Sequence, residues 1–302
     1  MPKKDIKYVH VKNVDKYFNK KILNKDTVNL ITQYFPSKDK IRFKENLYCL
    51  HKNISNPYID KIYLLNEKIY TQKELGLNDE QIKKIVQVDI KKRMKYSDFF
   101  NFINHKKEKD NLEGYVILAN SDIYLNETVT NLYRTNLSFK KACFMQLRLD
   151  TIRKYLKRRN DSQDTWIFHS NTIPSLKFSY LFNFNLGIPG CDNKIVYQFY
   201  KLNYTIYNEP YRIETIHIHK SMIRTYKITD RVKAPYGYLA IDFLKINNTK
   251  SNLINYQKNQ KNQKNKIIYK NKKDKQNDKD KTIIPLKKNN SIKNKNDTII
   301  SI

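Results

Sequence analysis

Acidic residues are the first shortage: 29 Asp and Glu stand against 59 Lys and Arg, a formal net charge of +30 over 302 residues. Such an excess attracts polyanions of any kind, whether nucleic acid, an anionic membrane surface or phosphorylated small molecules, and does not choose among them. Glycine (5) and proline (8) are scarce, as is alanine, while Lys, Asn, Ile and Tyr abound, the vocabulary of an AT-rich genome. Part of the charge is therefore compositional, which discounts any argument from charge alone. Cys49, Cys143 and Cys191 are odd in number and widely spaced, with no Cys-x-x-Cys pair. That argues against a disulfide framework or a structural zinc site and for a reducing compartment. Long apolar runs are missing too: no window approaches the length of a membrane span, and the amino terminus, Met-Pro-Lys-Lys-Asp-Ile-Lys, lacks the apolar core of a signal peptide. The expectation is a soluble, cytoplasmic protein without a transmembrane segment.

What is present is enough hydrophobic residue, 39%, to build one core. The chain divides by composition into a polar lead-in (1–26), a body (27–246) and a Lys/Asn-rich tail (247–302). The tail carries 15 Lys against four Asp, with no Arg or Glu, so it holds +11 and the body +19. With few aromatic or long apolar side chains, the tail is expected to be disordered.

In the body, Val28 to Phe35, Ile59 to Leu65, Ile85 to Val88 and Tyr115 to Ala119 read as buried strands. Between them lie a helix with an apolar stripe at Phe43, Leu47, Leu50 and Ile54, a helical turn near 79–84, and a helix opening at Ser97. Strand and helix alternating in this way build a mostly parallel sheet by right-handed crossovers, an α/β fold with helices flanking the sheet. The second half offers strands at 142–149, 165–168, 204–207 and 213–219, and a helix beginning at Gly190-Cys191-Asp192. His217 and His219 alternate onto one strand face, roughly 7 Å apart.

The stretch Gly114 to Leu125 organises the rest. Its apolar strand stops at Asn120, Ser121 and Asp122, and in open α/β sheets ligands bind beyond the carboxyl ends of strands. An Asp there can hold a divalent cation against a phosphate, although Asn, Ser and Asp are also ordinary turn residues. Asp192 at a helix start is equally an N-cap and a proton acceptor.

Asn120-Ser121-Asp122 after a strand, Gly190-Cys191-Asp192 opening a helix, and a His-bearing strand after that helix form an order that resembles the GT-A glycosyltransferases, which use nucleotide-sugar donors. The resemblance covers about residues 28–226 and implies a GT-A-like fold and a hexosyltransferase-like activity. It places Asp122 as the metal-binding Asp of the family's Asp-x-Asp motif, with Asn120 in place of the first acid and Ser121 between them. It makes Asp192 the general base, with Cys191 in place of the family's Glu, and His219 or His217 the metal-binding His. Mn²⁺ or Mg²⁺ would be the cofactor, a nucleotide sugar the donor, and a glycan, protein or lipid the acceptor, with inversion. Arg93 past the third strand would grip phosphate oxygens, and Asn66 and Glu67 would lie near the nucleoside. Asp164, Trp166 and Asn193 would line the acceptor pocket; Trp166 can equally fill the core, Arg93 can be part of a solvated Lys91-Lys92-Arg93 cluster, and Arg148 and Asp150 read as structural. Three other readings compete: a nucleic-acid-binding protein acting through the basic tail, a nucleotidyltransferase on the same type of sheet, and a structural or degenerate protein, since Asn120 and Cys191 stand where the family has acids.

Overall fold

Apolar runs bounded by polar turns become strands of one sheet in the computed structural model, which describes residues 7–10, 18–150, 159–221, 223, 224, 226–241 and 243–247. In chain order the strands are Lys7–His10 (β1), Val28–Thr32 (β2), Lys61–Asn66 (β3), Ile85–Asp89 (β4), Tyr115–Ala119 (β5), Ile123–Leu125 (β6), Ala142–Gln146 (β7), Leu149–Asp150 (β8), Thr165–His169 (β9), Thr205–Tyr207 (β10), Thr215–His217 (β11), Tyr236–Leu239 (β12) and Phe243–Asn247 (β13). The helices are Lys40–Ser55 (α1), Asp79–Ile82 (α2), Tyr96–Asp110 (α3) and Cys191–Lys201 (α4).

Seven strands form the central sheet in the order β10-β7-β9-β5-β2-β3-β4. All neighbours are parallel except at β9, which runs antiparallel to both β5 and β7. This is the α/β architecture expected from the sequence, a mostly parallel sheet flanked by helices. Alternation along each strand sends side chains to opposite faces. In β5, Val116 and Leu118 join one core with Phe99, Phe100 and Phe199 of α3 and α4. Tyr115, Ile117 and Ala119 join the other with Leu50 and Ile54 of α1.

Helix α1 starts where the Asp39 carboxylate accepts the Arg42 N–H at 2.7 Å and stops at Asn56, ahead of Pro57. Its apolar stripe faces the sheet as expected, and a second, polar stripe is also buried: Glu45, Asn46 and Asn53, with Asn56 just beyond. Asn53 donates to the Ile123 carbonyl at 3.0 Å and accepts the Leu125 N–H at 3.0 Å, so α1 is fastened to β6 through its side chains. Helix α3 begins one residue before the expected Ser97, with the Asp98 carboxylate capping the Lys95 N–H.

Two smaller sheets complete the unit. In β6-β11-β8, β11 is antiparallel to β6 and parallel to β8, placing His217 opposite both Ile123 and Asp150. In β1-β13-β12, the carboxyl-terminal strands meet the amino-terminal one. The polar lead-in is tied down in its described parts: β1 pairs with β13, Leu23 donates to the Tyr133 carbonyl at 2.8 Å, and His169 bonds Asp26 at 2.8 Å. Strand β12 lies so close to α4 that a Cβ at Gly237 would stand 2.5 Å from Val196 Cγ1, which only glycine avoids. The tail, apart from Asn247, lies outside the described residues, as does the basic segment 151–158. Among the described residues no helix is long and apolar enough to cross a membrane.

Candidate metal centre and acid-base site

The order of the sheet reverses between β2 and β5: β3 and β4 build outward on one side, β9, β7 and β10 on the other. Crevices at such a switch point, beyond the carboxyl ends, are where α/β sheets take ligands. Asp122 lies there, three residues past β5, and is 6% exposed. Its backbone is fixed by the Ile218 N–H, which donates to the Asp122 carbonyl at 2.9 Å, so the end of β11 is held beside it. The same register delivers two imidazoles. His217 Nε2 is 3.0 Å from Asp122 Oδ2, and its Nδ1 is 3.0 Å from Asp150 Oδ1. His219 Nδ1 is 3.8 Å from the same Asp122 oxygen, and the two rings stack with centroids 5.1 Å apart. The strand ends at His217 rather than 219.

Charges around this cluster shape it. Burial by itself would raise the Asp122 carboxyl, but the His217 hydrogen bond and the charges of His217, Arg42 and Arg148 outweigh burial and hold it well below the usual carboxylate range. Burial opposes the charged form of His217 too, yet hydrogen bonds to Asp122 and Asp150 raise it. His219 goes the other way: burial, then Arg42 and His217, lower it to about 4, so it is neutral at pH 7 with a lone pair to offer.

Asp122, His217 and His219 each offer one ligand atom, and these atoms lie within 4.8 Å of one another. A carboxylate oxygen with two imidazole nitrogens is a donor set for a divalent transition ion, the remaining positions being left to ligand oxygens and water. The bond from His217 Nδ1 to Asp150 is the support that a metal-ligating histidine ordinarily has, fixing the ring with Nε2 facing inward. The residues present therefore fit a divalent cation.

A second group of acids adjoins the first. Arg148 spans from Asp150 (Nε to Oδ1, 3.8 Å) to Asp164 (Nη1 to Oδ2, 2.7 Å). Asp164, immediately before β9, accepts from Asn120 Nδ2 at 2.9 Å, and the Asn120 N–H donates to its carbonyl at 3.1 Å. Asp192 stands in the first turn of α4, where Gly190 turns the chain with φ +80° and the Cys191 thiol donates to Asp192 Oδ1 at 3.1 Å. Burial first, and then the charge of Asp164, push its carboxyl up to about 8. A carboxyl so displaced, beside a second one held by arginine, is the pattern of paired acids assigned to different tasks.

No family model matches the sequence, and no curated protein matches it either. Solved structures do resemble the fold. GalNAc-T7 with UDP, GalNAc and Mn²⁺ has 10% sequence identity over 65% of this chain and 44% of its own, with a TM-score of 0.42. The mannosyltransferase PcManGT from Pyrobaculum calidifontis, in complex with GDP-Man and Mn²⁺, has 10% identity over 67% of this chain and 59% of its own, with a TM-score of 0.42. The glycosyltransferase GlyE of Streptococcus pneumoniae has 14% identity over 62% and 46%, with a TM-score of 0.37. The chain spans less than two thirds of each of these three proteins.

Of the residues singled out from the sequence, Asp122, His217 and His219 are brought together, and Asn120, Ser121, Asp164 and Asp192 surround them along the same edge. Ser121 donates to Asn46 Oδ1 at 3.3 Å. Others are spent on the fold. Trp166 is fully buried on the α3 and α4 face, its ring edge-on to Tyr96 at 5.0 Å, and has no face for a sugar, because alternation along β9 points it into the core. Asn193 is 4% exposed and donates to the Gly237 carbonyl at 3.2 Å, joining α4 to β12. Asn66 is fully buried, accepting the Tyr34 N–H at 2.9 Å. Glu67 is exposed beyond β3, and the Arg93 guanidinium donates to the Leu186 and Gly187 carbonyls, each at 3.1 Å.

Arg42 and Glu45 were not singled out. Arg42 Nη2 is 2.9 Å from Asp122 Oδ2 and its Nη1 2.6 Å from His219 Nδ1. Glu45 accepts the N–H groups of Lys220 and Ser221, the latter at 2.9 Å, anchoring the chain just after His219. Their signal was a set of polar residues at 42, 45, 46, 53 and 56 on the helix flank, easily read as a solvated face in so basic a chain.

Proposed function

We propose that the chain transfers a sugar, hexosyl in type, from a nucleoside diphosphate sugar to an acceptor hydroxyl, with inversion and with a divalent cation held by Asp122, His217 and His219. The observation that carries this reading is the convergence of one strand-end carboxylate and two histidines at the switch point of a mostly parallel sheet. Bound there, Mn²⁺ or Mg²⁺ offsets charge on the departing diphosphate. Asp192 takes the proton of the acceptor hydroxyl, and its raised pKa makes it, once ionised, a stronger base than an ordinary carboxylate. Arg148 orients both neighbours, holding Asp150 behind His217 and Asp164 beside Asp192. Asn120 holds Asp164 from the other side, and Ser121 ties the loop to Asn46 of α1.

A thermal-shift screen of nucleoside diphosphates and nucleotide sugars, UDP- and GDP-sugars first, with and without Mn²⁺, tests the reading, since a ligand that binds only the folded state raises the melting temperature. The expected result is a shift that needs both Mn²⁺ and one diphosphate. D122A should remove it, together with Mn²⁺-dependent donor hydrolysis, while the near-UV circular dichroism is unchanged; a full shift in D122A would take Asp122 out of the site. D192N should keep the donor-dependent shift and lose transfer, and unchanged turnover would end its role as base. The product is nucleoside diphosphate; release of pyrophosphate would overturn the reading in favour of nucleotidyl transfer.

A further inference from the structure

Arg42 occupies the ground that a metal ion would need. One guanidinium nitrogen is 2.9 Å from Asp122 Oδ2 and the other 2.6 Å from His219 Nδ1, so it engages two of the three ligand atoms of the cluster. A cation bound to that oxygen at about 2.1–2.6 Å would lie within a few ångströms of the guanidinium, where like charges repel strongly. The two cannot share Asp122. Asp122 is moreover the one carboxylate among the three ligands, and position 120 carries an amide. A carboxylate already paired with arginine has little net charge left to draw a free divalent ion. Glu45 Oε2, 3.4 Å from Arg42 Nη1, gives the displaced guanidinium a second partner on its own helix.

Building on the metal centre proposed above, we propose that Arg42 is a resident counter-cation. It keeps Asp122 and His219 in ligating positions, gives way when a divalent ion enters, and holds affinity for the free ion low, so that the ion binds chiefly when a diphosphate brings its own negative charge.

Mn²⁺ binding, read by electron paramagnetic resonance of the free ion and without reference to turnover, tests this. The wild-type protein should bind Mn²⁺ weakly alone and more tightly with a nucleoside diphosphate. Arg42→Gln should bind free Mn²⁺ at least about tenfold more tightly, with Arg42→Lys between, since an ammonium cannot bridge both groups. Affinity in R42Q equal to or below wild type, with binding still lost in Asp122→Asn, overturns the role of Arg42 and leaves the metal centre standing. No Mn²⁺ binding by any form, with or without diphosphate, removes the metal centre and this proposal with it. Should R42Q lose its near-UV circular dichroism, the R42K comparison decides, and a lysine variant no tighter than wild type overturns the proposal.

Discussion

An amide at position 120 is what Asp164 calls for. Asn120 donates to Asp164 from both its side chain and its backbone, while Arg148 holds the opposite carboxylate oxygen. Asn120→Asp would set a half-buried carboxylate against the buried one of Asp164, and we expect a loss of about 1–3 kcal/mol at neutral pH, recovered as the solution is acidified. Denaturant melts at pH 5 and pH 7.5 measure this, and an unchanged midpoint would separate the two side chains. Asp192 gives a dependence of the opposite kind. Its folded pKa, near 8, lies above the ordinary carboxyl value, so the folded state keeps a proton that the unfolded chain has released. That contribution to stability is complete at acid pH and is lost as pH rises through about 8. The advantage of D192N in melting temperature over wild type should therefore widen from pH 5 to pH 9; a constant difference would mean that the carboxyl is not displaced.

Helix α1 works on the scale of an element. Its apolar stripe packs on the sheet, and its polar stripe reaches β6 and the metal cluster. Asn53→Ala would leave the Ile123 carbonyl and Leu125 N–H of β6 without their partner, at a cost of about 1–3 kcal/mol, and should weaken Mn²⁺ binding because β6 begins one residue after Asp122. Calorimetry on the variant, with and without Mn²⁺, reads both effects. The strands and the apolar side of α1 were legible in the sequence because burial on both faces writes continuous apolar runs and helix burial writes a 3.6-residue period. Asp122 was legible because a polar triplet interrupts such a run. Arg42 was not, since nothing in a sequence with 59 basic residues marks one guanidinium as turned inward. Trp166 was misplaced for a related reason: its nearness to Asp164 suggested a shared pocket, but Asp164 stands before β9 begins, whereas Trp166 lies inside the strand on the side that packs against α3 and α4.

On the scale of the molecule, β13 pairs with both β1 and β12, and β12 in turn lies against α4, whose first turn carries Asp192. Ending the chain after Asn247 should leave the melting temperature unchanged, whereas ending it before Phe243 strips a partner from two strands and should lower it and loosen α4. Parallel melts of the two truncations distinguish these cases. The switch point was foreseeable from the alternation of strands and helices, but the reversal of β9 was not, because the connection before it carries no periodic pattern from which a direction could be read.

That reversal has its own consequence. Because β9 runs against β5 and β7, the chain leaves the ligand-binding edge at Gln146 and returns to the same edge at Asp164. Both feet of this excursion are joined in the ladder, Gln146 opposite Thr165 and the Asp164 N–H on the Gln146 carbonyl at 3.2 Å. Arg148 and Asp150, just past the first foot, and Asp164, at the second, thereby reach the metal cluster and Asp192 from one segment of chain, so a change of length in that segment would be felt at both groups at once.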